Sequence, residues 1–321
     1  MDSGSEGPGL GHLQAYGLLI VYCLVYVLPL YASSTTRPSP TRSRDSPEAI
    51  RARVRAVSLS TSACCTGTLL ILCRSAAAIR SSSGSLSEPA TARYLLQSPS
   101  HLMGIWPVGF NEIVKSLLLT SLLFAGPLFE CLVLDGAWRY IWRLNSLKQV
   151  WYDHPTWRNI IVGPVTEECL FRSATVPLLL LAGSNLSSIV FRSPLVFGLA
   201  HLHHFYEFRI THPHSTLTAG IVRSLLQFSY TSVFGAYATF LFLRTGSLLA
   251  VIVVHAFCNC VGLPRLWGSV EPYWTLSRDS RASNSLTKWT ALYYMLLLGG
   301  CVSWYANLYY LTQSSLALAA L

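Results

Sequence analysis

The stretch NIIVGPVTEECLFRSATVPLLLLA, residues 159–182, places Glu167, Glu168 and Arg172 inside an apolar run. A membrane-spanning helix needs about 20 mostly apolar residues, and this run is long enough. An ionisable side chain within a bilayer costs at least ~2.5–3.5 kcal/mol on insertion scales, so such residues usually serve a function. The stretch therefore predicts a transmembrane helix that carries part of a functional site.

The composition of the whole chain favours a polytopic membrane protein. Of its 321 residues, 52% are hydrophobic and only 12% are charged, whereas a soluble domain carries about 25% charged residues. The apolar runs long enough to span a membrane are 14–33, 56–73, 116–135, 159–182, 187–205, 220–243, 247–264 and 289–312. We predict an all-α integral membrane bundle of about eight transmembrane helices, folded as one polytopic domain over residues 1–321 with a motif-bearing core at about 115–265.

The net charge of +9 is explained better by membrane topology than by nucleic-acid binding. No dense basic run with interleaved aromatic residues occurs, so no nucleic-acid partner is predicted. The largest basic cluster lies in residues 34–55, which are rich in Arg, Ser and Pro and are predicted to form a flexible loop beside the membrane lipid. The positive-inside rule places this loop in the cytosol, together with loops 136–158, 206–219 and 265–288.

Two further motifs place polar side chains within apolar runs: Phe197-x-x-x-His201 and His255-x-x-x-Asn259. The four-residue step puts both members of each pair on one helix face. Structural interpretations remain open for each motif. A histidine here can be a satisfied core residue, an aromatic side chain usually only packs, and His255 with Asn259 can join helices through hydrogen bonds.

The two adjacent glutamates are predicted to have different partners. Glu167 and Glu168 point about 100° apart on a helix, so they are not expected to face one partner. Arg172 follows Glu168 by four residues, which predicts an ion pair on one helix face and leaves Glu167 free. The alternative is a buried ion-pair network that holds helices together. His203 and His204, at the end of an apolar run, are interpreted as interfacial residues.

These polar residues suit the hydrolysis of an amide by water. That reaction needs a base and preorganised hydrogen-bond donors for the oxyanion. The chain has no HExxH ligand pair, no GxGD motif and no GxSx serine paired with a histidine on a suitable helix. Glutamates and two histidines could still hold zinc, since three protein ligands and a water suffice, but the spacing does not require a metal. We therefore predict no cofactor, with zinc as the alternative.

In order and spacing, the motifs resemble the type II CAAX prenyl protease family, the Ras-converting endopeptidases. The stretches that carry the resemblance are 163–172, 193–204, 243–247, 255–259 and 262–264. The resemblance implies an all-helical, multi-pass enzyme of the endoplasmic reticulum membrane whose active site opens to the cytosolic side. Its members remove the last three residues from proteins that end in a prenylated CaaX box, with Ras and related small GTPases as typical substrates.

The resemblance also implies roles for individual residues. Glu167 and His201 would activate a water for attack on the carbonyl after the prenyl-cysteine, and His255 and Asn259 would stabilise the oxyanion. The residues with supporting roles would be Glu168, Arg172 and Phe197. Two other functions would use the same side chains. One is a proton-coupled membrane transporter, which usually shows paired repeats that this sequence lacks. The other is a non-catalytic, membrane-binding member of the wider CAAX-protease and bacteriocin-processing superfamily.

Overall fold

Helices make up the regular structure of the chain. The computed structural model describes residues 10–39, 43–81, 94, 97–140, 150–274 and 283–321, and no β-strand occurs among them. Parts of the predicted loops 34–55, 74–114, 136–158 and 265–288 lie outside these ranges. The main helices are α1 (His12–Val27), α2 (Pro47–Ser81), α3 (Phe110–Leu123), α4 (Gly163–Glu168), α5 (Val176–Leu181), α6 (Leu186–Phe191), α7 (Ser193–Ala200), α8 (His203–Thr211), α9 (Leu217–Thr245), α10 (Leu248–Val261) and α11 (Ser283–Leu311).

The predicted spans correspond to helices, but not to eight uniform ones. Two stretches of the described residues are long and apolar enough to cross a membrane, His12–Ala32 and Pro47–Ala78. A third is added if Phe110–Leu123 and Ala125–Leu134 are counted as one span. The all-α prediction is therefore confirmed, whereas the number of eight transmembrane helices stays a prediction.

The predicted span 116–135 is a bent pair of helices. Its two parts meet at an angle of 84° beside Phe124. Pro127 follows the bend, and proline both lacks a backbone donor and clashes with the carbonyl four residues earlier. A Cβ at Gly126 would lie 3.1 Å from the Cβ of Leu297 in α11, so the small residue lets the two helices approach closely.

The predicted span 187–205 is likewise not one helix. It is divided among α6, α7 and the start of α8, with breaks at Arg192 and at His201–Leu202. Pro194 occupies the first turn of α7, where proline is tolerated because its missing donor has no role there. The break after Ala200 leaves His201 at the end of α7.

The glutamate stretch has widened turns on both sides of α4. The segments Arg158–Val162 and Cys169–Ala174 are π-helical, and α5 follows at Val176. The amide of Gly163 donates to the carbonyl of Arg158, five residues back, and Pro164 next to it has no amide to donate. Such π-turns occur frequently at functional sites, because they re-aim side chains relative to a regular helix.

Helices α7 and α9 pack closely through glycines. A Cβ added at Gly235 of α9 would lie 2.8 Å from the Cβ of Pro194 and 3.1 Å from the ring of Phe197. Small residues allow helix backbones to approach in this way. The contact holds Phe197, which is 1% exposed, against α9 and the glutamate segment.

Candidate active site

A buried ion pair forms the innermost part of the site. Arg172 donates from Nη1 to Oε1 of Glu168 at 3.0 Å, and both side chains are 0% exposed. The second Arg172 nitrogen, Nη2, donates to the carbonyl of Gly235 at 3.2 Å. The guanidinium carbon lies 4.8 Å from the centre of the Phe197 ring. The expected pairing of Glu168 with Arg172 is thus observed, and it joins the glutamate segment to α9.

His255 of α10 contacts both glutamates through opposite nitrogens. Its Nδ1 lies 2.6 Å from Oε1 of Glu168, and its Nε2 lies 3.9 Å from Oε2 of Glu167. The expectation that two adjacent glutamates would not face one partner is therefore wrong. An imidazole presents its nitrogens on different edges, so one ring can lie between two carboxylates that point in different directions.

A large cavity runs along the exposed side of this assembly. Its volume is about 2390 Å³, and Glu167, Phe197, His201, His255 and Asn259 all line it. The Glu167 side chain is 20% exposed, in contrast to the fully buried Glu168 behind it. The structure thus brings all four predicted catalytic residues to one cavity. Behind them, Glu168 contacts His255 directly, and Arg172 contacts Glu168.

His201 presents one ring nitrogen for use in the cavity. Its Nδ1 lies 2.9 Å from the carbonyl oxygen of Phe197, and because a carbonyl only accepts, Nδ1 carries the hydrogen. In a neutral imidazole the other nitrogen, Nε2, is then an acceptor. The Phe197 ring stands 4.9 Å from the His201 ring and beneath the Arg172 guanidinium. Phe197 thus contributes both a carbonyl and an aromatic face to the site.

Asn259 lies one turn after His255 and is exposed to the cavity. Its Nδ2 donates to the backbone carbonyl of Asn159 at 2.9 Å. That bond fixes the amide plane and leaves the second hydrogen of Nδ2 for another acceptor. Asn159 also lines the cavity. In the sequence, Asn159 is only the start of an apolar run, because a backbone carbonyl leaves no signal in the side-chain pattern.

A second charged network, centred on Glu207, was missed from the sequence. Glu207 is 2% exposed and accepts from Arg44 at 2.8 Å, from His204 at 3.0 Å and also from Arg53. Arg44 and Arg53 belong to the basic cluster, so these two arginines serve a tertiary contact and not only topology. His204 likewise joins this network and is not simply interfacial. The sequence shows only a lone acidic residue in loop 206–219. Its role becomes visible only when the fold brings distant arginines to it.

The electrostatics of Glu207 follow from these partners. Burial by itself would raise the pKa of Glu207, but the hydrogen bond from His204 and the positive charge of Arg53 outweigh it and hold the pKa well below its usual range. Glu207 is thus ionised at neutral pH. The network ties α8, and the turn at His201, to the residues that precede and begin α2.

Metal-ligating groups were also predicted as an alternative use of the histidines and glutamates. Among the described residues, one group has three ligating atoms within 4.8 Å of one another, namely His203, His204 and Glu207. Arg44 and Arg53 already occupy the oxygens of that carboxylate. Glu167 does not belong to this group.

Known proteins match the chain over nearly its whole length. A family model described as type II CAAX prenyl endopeptidase Rce1-like matches residues 151–261. The probable CAAX prenyl protease 2 of Schizosaccharomyces pombe is 35% identical, covering 91% of this chain and 92% of its own. The CAAX prenyl protease 2 of Homo sapiens is 33% identical, covering 84% of this chain and 76% of its own. The CAAX prenyl protease 2 of Saccharomyces cerevisiae is 29% identical, with 89% and 92% covered.

The region that the family model matches contains all four predicted catalytic residues. Residues 151–261 include Glu167, His201, His255 and Asn259, together with the buried ion pair behind them. No solved structure is significantly similar to the chain. The sequence relationship spans most of both chains in the relatives from Schizosaccharomyces pombe and Homo sapiens. The chain therefore belongs to the type II CAAX prenyl endopeptidase family, a family of proteases.

Proposed function

We propose that this chain is an intramembrane endopeptidase that removes the C-terminal aaX tripeptide from prenylated CaaX proteins, including Ras and related small GTPases. The observation that carries the proposal is that Glu167, His201, His255 and Asn259 line one cavity between apolar helices. The names of the curated relatives, CAAX prenyl protease 2, support the substrate class.

The proposed reaction uses a water held between Glu167 and His201. Glu167 takes a proton from the water, and the His201 Nε2 accepts the other hydrogen and orients the oxygen. That oxygen forms a bond to the carbonyl carbon after the prenyl-cysteine, and the carbonyl becomes an oxyanion. When the C–N bond breaks, the proton on Glu167 passes to the leaving amine. The acid formed on the prenyl-cysteine then gives up its remaining hydrogen as a proton, through His201, to solvent. The products are a new carboxylate on the prenyl-cysteine and a free tripeptide.

Asn259 and His255 are proposed to stabilise the oxyanion. Asn259 lines the cavity and keeps one Nδ2 hydrogen after its bond to Asn159. His255 would act as an imidazolium, whose Nδ1 hydrogen goes to Glu168 and whose Nε2 hydrogen would go to the oxyanion. Preorganised donors in a site that excludes water typically contribute 10²–10³-fold to kcat each, roughly 2.7–4 kcal/mol. The Glu168–Arg172 pair supports this arrangement by fixing the His255 ring.

The remaining cavity wall suits a prenyl chain. It is formed on α9 and α11 by apolar residues that include Leu226, Val233, Leu297 and Leu298. An isoprenoid can lie against these side chains while its peptide end reaches Glu167.

We further propose an endoplasmic reticulum location with the cavity open to the cytosolic side. The Arg-rich residues 34–55 support this orientation through the positive-inside rule.

Tripeptide release from a farnesylated CaaX peptide, by purified protein in lipid, tests the proposal. Wild type should release the tripeptide, Glu167→Ala should abolish release, and His203→Ala should largely preserve it. His203 is a matched control because it lines the same cavity but bonds through Nδ1 to the Ala200 carbonyl. Equal loss in both variants would contradict the assignment of Glu167 as the base.

A zinc chelator distinguishes water activation by Glu167 and His201 from a mechanism that uses a metal. We propose a reaction without a cofactor, so release should survive a zinc chelator. If chelation abolishes tripeptide release and zinc restores it, the glutamate and the histidines are metal ligands. No release by a well-folded wild type would favour the proton-coupled transporter or the non-catalytic membrane-binding protein.

A further inference from the structure

The wall that α9 contributes to the cavity carries a polar stripe. Arg223, Gln227 and Tyr230 stand at positions i, i+4 and i+7 of this helix, and all three line the cavity. This spacing places them on one helix face. Their neighbours Val222 and Leu226 are apolar and line the cavity as well. A polar stripe in an apolar wall indicates a ligand with a polar end.

Arg223 differs from the other arginines of the cavity. Four cavity-lining arginines form ion pairs with carboxylates of the chain: Arg44 and Arg53 with Glu207, Arg158 with Asp45, and Arg265 with Glu130. Within the described part of the chain, no carboxylate forms an ion pair with Arg223. Its guanidinium is exposed and stacks over the ring of Phe208 at 4.9 Å. The planar fork of donors on Arg223 is therefore open to a carboxylate from outside the chain.

The stripe has the length of a short peptide tail. Tyr230 interacts electrostatically with both Arg223 and Glu167, and all three residues line the cavity. Arg223 and Tyr230 are seven residues apart, which is about 10 Å along a helix axis. Three extended residues also span about 10 Å. A peptide whose scissile carbonyl lies at Glu167 can therefore bring its C-terminal carboxylate to Arg223.

We propose that Arg223, with Gln227 and Tyr230, binds the free α-carboxylate of the last substrate residue. The proposal rests on the tripeptide-releasing activity proposed above. Arginine suits this task because its guanidinium holds a carboxylate through two parallel hydrogen bonds. The carboxylate would reach Arg223 only when the chain ends at the right distance from the scissile bond. The site would therefore select substrates that end three residues after the prenyl-cysteine.

The test compares two farnesylated peptides that differ only at the C-terminus, one with a free carboxylate and one with a carboxamide. Wild type should cleave the acid with a KM at least about 10-fold lower, the scale of one hydrogen-bonded charge pair. Arg223→Gln should raise the KM for the acid to that for the amide, and leave the kcat for both peptides unchanged. Arg223→Lys keeps the charge and should retain part of the preference.

Arg192→Gln is the matched control, because Arg192 is exposed and does not line the cavity. It should keep the wild-type preference for the acid. The proposal is overturned if wild type cleaves both peptides equally, which would leave the proposed protease activity intact. It is also overturned if Arg223→Gln slows both peptides by the same factor, since that result indicates a structural role. Failure of wild type to cleave either peptide would remove the protease proposal and this inference together.

Discussion

Replacing Arg172 by methionine is expected to destabilise the protein by about 3–5 kcal/mol, the cost of leaving one partner of a buried ion pair uncompensated. Arg172 and Glu168 are both 0% exposed and lie 3.0 Å apart. After the substitution, His255 is the remaining hydrogen-bond partner of the Glu168 carboxylate. The bond to the Gly235 carbonyl is lost as well, worth about 1 kcal/mol. The loss of the ion pair and the loss of this hydrogen bond are not additive. We therefore take the range for the ion pair as the total change in the free energy of unfolding.

A double variant separates the charge from the packing. Glu168→Leu combined with Arg172→Met removes both charges, and exchanging a buried pair for apolar residues is often neutral or stabilising. One cost remains, because His255 Nδ1 loses its acceptor in a buried position, which amounts to about 1–3 kcal/mol. The double variant should therefore be more stable than Arg172→Met alone, yet it should lack activity because His255 is no longer held.

Stability is measured by reversible unfolding in mixed micelles, and activity by tripeptide release. The expected order of stability is wild type, then the double variant, then Arg172→Met. A loss below about 1 kcal/mol in Arg172→Met would refute the reasoning, because an isolated buried carboxylate should cost more. A double variant as unstable as Arg172→Met would also refute it, since packing and not charge would then dominate.

Three further outcomes are expected. Gly235→Ala places a Cβ 2.8 Å from the Cβ of Pro194 and should cost about 1–3 kcal/mol. Gly299→Ala meets nothing within 4 Å and should not lower the melting temperature, so an equal loss in both variants would contradict this. Asn259→Ala should lower kcat about 10²–10³-fold with the fold retained, and unchanged kcat would exclude a role on the oxyanion. Because the pKa of Glu207 is lowered in the folded state, its ionised form contributes stability above the ordinary glutamate pKa of ~4.3, and this is lost as pH falls through the lowered value. The stability difference between wild type and Glu207→Gln should therefore be full at pH 7 and shrink below about pH 4, and a pH-independent difference would contradict it.

Local spacing explains what the sequence could predict. Glu168 and Arg172 are four residues apart, so their ion pair follows from helix geometry and forms even though Arg172 lies in a π-helical segment. The His201 contact with the Phe197 carbonyl spans the same step. Apolar composition likewise predicts helices correctly, because backbone groups in a membrane must bond internally.

Long-range pairing explains what the sequence could not predict. The bond between His255 and Glu168 joins residues 87 positions apart, and that between Arg53 and Glu207 joins residues 154 apart. Neither partner indicates the other without the fold. Hydropathy also averages over a window, so it missed the breaks at Arg192 and at His201, although Pro194 marks the first of them.

The buried pair is better explained by positioning than by stability. Glu168 Oε2 and Arg172 Nε are buried and have no hydrogen-bond partner among the described residues. A pair with unmet polar atoms repays little of its own desolvation cost, so the stability that apolar residues would lose comes from the bond to His255 and not from the ion pair. What they would not supply is a charged acceptor for His255 Nδ1 at 2.6 Å. That acceptor fixes which ring nitrogen faces Glu167 and the cavity. The ion pair therefore contributes an oriented His255 ring more than it contributes stability, and an oriented ring is what a site needs if it must hold donors in place before the substrate arrives.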